Sequence, residues 1–242
     1  MNNDENKEKY FRFPIRMMQG ILQSEDRTDF LTDVMYYAIA SSLDSDDVTD
    51  DAFMEQASDK FSVNLNGGVD EKMNRGYELL KRYEKENVYT GISLKVFWDF
   101  YDNYKSEDEW HCLIMYLALR SIIGSRPYCK TTNDFLFARM LGKKNIAEYK
   151  KMVPIQWTRY KRDKVINDLR LGWNLKYYAR GVHGFFFSFR TSLEEIILVA
   201  EKRKRNNKLE LLKNKEKAIL DEILKNGLEP KKNDGSNEKL PF

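Results

Sequence analysis

Cysteine, histidine and proline are scarce in this 242-residue chain, and glycine is not abundant. Cys112 and Cys129 show no pairing pattern, and the two histidines cannot complete a zinc cage with them. Both thiols therefore read as small hydrophobes in a reducing compartment. Five prolines and twelve glycines are too few for a many-turned β-sandwich and favour long helices. The longest apolar run, CLIMYLAL at 112–119, falls well short of the roughly 18 residues that span a bilayer. The opening MNNDENKEKY is too polar and acidic for a signal peptide, so the expectation is a soluble, cytoplasmic protein without membrane contact. There is no glycine-rich phosphate loop, no nucleophile–base pair and no metal-ligand spacing. The chain is accordingly expected to be no enzyme and to need no cofactor or metal. The one calcium-like stretch places Asp44, Asp46, Asp50 and Glu55 at loop positions, but Val48 and Thr49 stand where a ligand oxygen and a turn glycine belong. It reads instead as an acidic loop that favours the start of the next helix.

What the chain does have is aromatic bulk and unevenly placed charge. Fourteen Phe and fourteen Tyr suggest a core built on rings. The net charge of +3 conceals a division. Residues 1–105 carry 13 Lys/Arg against 21 Asp/Glu, a net of −8, whereas residues 126–190 carry 15 Lys/Arg against Asp134, Glu148, Asp163 and Asp168, a net of +11. Like charges so concentrated repel one another unless a polyanion offsets them.

The periodicities predict a mainly α protein. In 1–105, YFRFPIRMM reads as a short strand or extended arm, because Pro14 biases Phe13 toward extended backbone. Helices follow near 28–43, near 70–86 and after Ser93, with aromatic stripes that read as the core of a small bundle. From 106 a new unit opens with a capping box, Ser106 with Glu109, on a helix whose inward face is Trp110, Leu113, Ile114, Leu117 and Ser121. Gly124 stops it, and His111 reads as a lone, partly exposed histidine. A short helix at about 134–141, closed by Gly142, leads through a connector with Pro154 to TRYKRDKVINDLR, a helix capped by Thr158. Its inward residues are Val165, Ile166 and Leu169. WNLKYY and FFFSFR then read as antiparallel strands joined through ARGVHG. A long helix spans 191–226, with a break expected near Asn206-Asn207, and 227–242 reads as a disordered tail.

Three helices followed by a β-hairpin over residues 106–190 resemble the winged helix-turn-helix superfamily. The resemblance implies that 158–170 is the recognition helix of the major groove and that 173–190 is the wing. With a helical domain in front, the whole is similar to replication initiators and loaders of phages and mobile elements. Double-stranded DNA is then the expected partner, in replication or transcription control. A helix N-terminus offers free N–H groups to phosphate, and Arg159 and Lys161 sit there. Arg162 and Lys164 lie where a side chain reaches base edges. Lys143 and Lys144, with Lys150 and Lys151, extend the basic surface, and Arg180 and His183 occupy the wing tip. The alternating rings Phe185, Phe187 and Phe189 read as filled core. The competing reading is a non-enzymatic adaptor or structural protein of a phage or replisome assembly. In it the acidic bundle or the C-terminal helix binds a protein, or the stripe Leu209, Leu212, Ile219 and Ile223 pairs two copies in a homodimer. Residues 106–205 are expected to fold alone and to bind duplex at least as tightly as the whole chain.

Overall fold

The computed structural model describes residues 9–23, 27–42, 50–61, 69–150, 159–179 and 184–228. The chain forms two compact units, Met1–Leu193 and Glu194–Phe242. The described residues are mainly helical, with one two-stranded and one three-stranded sheet among them. Among the described residues no helix is long and apolar enough to cross a membrane, and no cluster of His, Cys, Asp or Glu could hold a metal ion. The acidic loop at 43–49, Thr158, the wing tip with Arg180 and His183, and residues 229–242 lie outside the described residues.

The extended arm is strand β1 (Tyr10–Pro14), which buries Phe11 and Phe13 and turns Tyr10 and Arg12 outward. It finds a partner that periodicity did not reveal. Strand β2 (Tyr89–Ser93) pairs with it antiparallel, from Tyr10 against Ser93 to Pro14 against Tyr89. Between them, after a 3-10 turn at Ile15–Met17, come α1 (Met18–Gln23), α2 (Arg27–Ser42), α3 (Asp50–Phe61) and α4 (Val69–Arg82). Helices α2 and α4 approach closely at Gly76, where a Cβ would stand 2.6 Å from the Tyr36 carbonyl oxygen. Helix α5 (Leu94–Asp102) is capped by Ser93, whose Oγ accepts the Val96 N–H at 3.4 Å.

Helix α6 (Glu107–Ile123) starts and stops where its sequence predicts. Ser106 Oγ accepts the Glu109 N–H at 3.4 Å, the Glu109 carboxylate accepts the Ser106 N–H at 2.8 Å, and Gly124 ends the helix at φ 57°. Its burial exceeds the predicted single face. Every residue from Trp110 to Leu119 is buried, because β2, α7 (Asn133–Met140), α9 (Arg159–Gly172) and β3 (Cys129–Thr131) surround it. His111 is therefore buried, correcting the expectation of a partly exposed ring.

After α6 come β3, α7, α8 (Ile146–Lys150), α9, β4 (Lys176–Tyr178) and β5 (Phe185–Ser188). Strand β5 is central in the antiparallel order β3-β5-β4, pairing Phe187 with both Cys129 and Tyr177. Strand β3 and helix α8 both fall in stretches read as connectors. Both faces of β5 are covered, so Phe185, Phe186, Phe187 and Ser188 are all buried, in keeping with the filled-core reading.

The core does not divide at 105/106. One cluster of buried side chains joins Phe11, Phe13 and Ile92 to Leu113, Leu136, Val165 and Phe187. Thr90 Oγ1 of β2 donates to the Leu117 carbonyl of α6 at 2.6 Å. That position marks a change of charge within a continuous interior. The second unit is mostly α10 (Leu193–Leu228), which runs unbroken through Asn206 and Asn207, contrary to the break expected there. Along it Leu209, Leu212, Ile219 and Ile223 are exposed.

Candidate nucleic-acid interface

Helix α9 buries Val165, Ile166 and Leu169, as its periodicity predicts, and this fixes where its cations can point. Lys161 and Lys164, one turn apart, face the acidic first turn of α6. Lys164 Nζ donates to Asp108 Oδ2, and the two groups hold each other charged: the Asp108 carboxyl is held below its usual range and the Lys164 ammonium above its own. The charge of Lys161 acts the same way on Glu107 and Asp108, although the main cause at Glu107 is its hydrogen bond from Arg27. Arg162 folds onto its neighbour, with Nε and Nη2 donating to Asp163 Oδ1 at 2.9 and 2.6 Å.

Lys143 and Lys144 stand at the end of α7. Lys144 pairs with Glu86 at 3.0 Å, and the same carboxylate takes Arg16 at 2.7 Å. Among the described residues no carboxylate pairs with Lys143, whose N–H donates to the Ala138 carbonyl at 2.8 Å. The structure thus brings Lys161 and Lys164 together over Glu107 and Asp108, and sets Arg162 and the α7 lysines against other neighbours. Arg159 is the first residue of α9, and its side chain, with Arg180 and His183, lies outside what is described.

No family model, curated protein or solved structure matches this chain.

Other cations of the basic segment also have internal roles. Arg139 is buried, its guanidinium 4.8 Å from the Phe135 ring centroid. Arg126 Nε donates to the Ile123 carbonyl at 3.1 Å, at the end of α6. Neither use is visible in a charge count. What α9 turns to solvent is a different stripe, namely Tyr160, Asn167 and Arg170, with Lys164 beside it. Arg170 Nη1 donates to Asn167 Oδ1 at 3.4 Å. Asn and Arg are the side chains that bond adenine and guanine edges in bidentate fashion. The signal that could have found them is the helical phase set by Val165 and Leu169, which puts 160, 163, 167 and 170 opposite the core. The Cys112 thiol is pushed up to about 12, chiefly by burial.

Proposed function

We propose that this chain is a DNA-binding protein in which residues 106–190 form a winged helix serving replication or transcription control of a phage or mobile element. The observation that carries the reading is the order of elements, α6-β3-α7-α9-β4-β5 with the short α8 inserted, together with the sheet order β3-β5-β4. A helix-strand-helix-helix-hairpin chain with its last strand central supports the winged-helix resemblance better than three helices and a hairpin alone. On this reading α9 enters the major groove with Asn167 and Arg170 toward base edges. Arg159 and Lys161 meet phosphate near the helix start, and the β4–β5 loop carries Arg180 and His183 along the backbone.

A second reading has its own support. Lys144, Arg162 and Lys164 are all paired with carboxylates of the same chain, as suits an adaptor whose basic residues hold the fold together. The two readings differ in salt dependence. If about five phosphates are neutralised, log affinity for random duplex falls with log salt at a slope of about −4.5. Titrating labelled duplex with the full chain at several salt concentrations measures it. A flat response, or no binding at about 50 mM salt, where such contacts are strong, decides for the adaptor.

A further inference from the structure

Away from α9, the positive charge of helix α10 is gathered into one short stretch. Its first nine residues, 193–201, carry Glu194, Glu195 and Glu201 and no cation. Five of the next seven, namely Lys202, Arg203, Lys204, Arg205 and Lys208, are basic, and none is acidic. From 209 to 228 four lysines are balanced by four acids, so that part of the helix is neutral. Every side chain from 202 to 225 is exposed. Among the described residues no carboxylate pairs with Lys202, Arg203, Lys204, Arg205 or Lys208. In this they differ from Lys144, Arg162 and Lys164, whose charges the fold neutralises.

Side chains three and four apart are neighbours on a helix surface, and like charges placed so repel one another. Lys202 with Arg205, Arg205 with Lys208, and Lys204 with Lys208 all stand in that relation. A polyanion relieves the repulsion, and the density of charge suits one. By the helical rise the run from Lys202 to Lys208 spans about 9 Å, roughly one charge per 2 Å of axis. A DNA duplex presents a phosphate for about every 1.7 Å of its own axis. The directions of the side chains narrow the choice further. At about 3.6 residues per turn, Lys202, Arg203, Lys204 and Arg205 point to all sides of the helix. No apolar residue stands among 201–208. A helix that lies on an anionic membrane needs an apolar face to bury, and this stretch has none. The major groove of B-form DNA, about 12 Å wide, admits a helix and has phosphates along both edges. Whichever face of the stretch meets the bases, cations remain directed toward both edges.

We infer that residues 202–208 of α10 are a second duplex-binding element, laid in the major groove with their cations on phosphates of both strands. The glutamates before the stretch and the neutral helix after it bound the contact at either end. This rests on the DNA-binding reading and deepens it, because α9 and α10 are then separate contacts with the same kind of ligand.

The test uses the full chain, a labelled random DNA duplex and two variants that remove three cations each, so that net charge changes equally. One replaces Lys202, Lys204 and Arg205 by Ala, inside the stretch. The other replaces Lys213, Lys215 and Lys217 by Ala, beyond it. All six side chains are exposed and Ala is the best helix former, so both variants keep the helix, as circular dichroism verifies. The first should weaken duplex about tenfold or more at fixed salt. It should also lower the steepness of log affinity against log salt by about 2.7, at about 0.9 for each phosphate lost. The second should stay within about twofold of the wild type. Equal losses in the two variants overturn the site, because net charge alone then accounts for binding. Double-stranded RNA has a major groove too narrow for side chains to read, so RNA that matches DNA in affinity through this stretch overturns the groove placement. Phosphatidylserine vesicles or polyglutamate held through Lys202, Lys204 and Arg205 as tightly as duplex overturn the assignment in favour of a membrane or an acidic protein. Arg170→Ala separates this inference from the contact of α9. Duplex binding that depends on Arg170 and ignores the first variant overturns the inference and leaves the DNA-binding reading standing. Binding that the first variant abolishes and Arg170→Ala leaves intact upholds the inference and defeats the winged-helix contact. A full chain that binds no duplex at all defeats both.

Discussion

His111 shows how a single residue is governed by what packs around it. Burial lowers its pKa from the ordinary 6.5, Lys161 and Arg27 act in the same direction, and Glu107 and Asp108 oppose them. Folding therefore selects the neutral ring. Below pH 6.5 the unfolded chain takes up this proton before the folded one does, so stability is complete above that value and declines as pH falls beneath it. His111→Gln should abolish that part of the decline. Urea midpoints measured between about pH 7.5 and 5 should fall more steeply for the wild type than for the variant, and parallel curves would refute the assignment. The carboxylates of Glu107 and Asp108, held below their usual range, lose their contribution only at lower pH, in both proteins. The sequence located His111 one residue from Trp110 but gave no sign that α6 would be enclosed on every side.

Among the elements, those with a local signature were legible and those that depend on a distant partner were not. Helix α6 announced both its ends, through the Ser106–Glu109 box and Gly124, and α7 announced its end through Gly142. Strands β2 and β3 carry no such signature. Each is five residues or shorter, and each is a strand only because β1 or β5 lies alongside. The candidate interface was legible in composition and obscure in direction. A charge count includes Arg139 and Arg126, which face inward or cap a helix, and cannot say that Lys164 meets Asp108 across 56 residues. Helix α10 is the reverse case, since its exposed stripe follows directly from spacing. Leu209, Leu212, Ile219 and Ile223 are 58%, 47%, 57% and 61% exposed, and they recur at coiled-coil intervals. Pairing of two copies through this stripe is the proposed outcome. Sedimentation equilibrium of the full chain should show a dimer that Leu212→Lys with Ile219→Lys converts to monomer. A wild type that is monomeric at all concentrations removes the stripe from consideration as a self-association seam.

For the whole molecule, charge and packing draw different boundaries. The acidic 1–105 stretch and the basic stretch after it are tied by Glu86 to Lys144 and by Arg27 to Glu107, and their apolar side chains share one core. The expectation that residues 106–205 fold alone runs against this continuity. Such a fragment would uncover the flank of α6 that β2 covers and would leave the Leu117 carbonyl without Thr90. Thermal unfolding of Met1–Leu193 should therefore be a single cooperative transition, and a fragment beginning at 106 should lack the sharp transition of the parent. Two resolved transitions, or a stable fragment, would restore the two-domain picture. The position of α6 also matters during synthesis. Its middle turns are closed in by β2 from one side of the chain and by β3, α7 and α9 from the other, so a nascent chain that has emerged as far as Leu117 still awaits its remaining neighbours. At about 5–20 residues per second the ribosome needs roughly 3–11 s to reach Gly172, the end of α9. Throughout that interval the most thoroughly buried of the described helices stands partly bare.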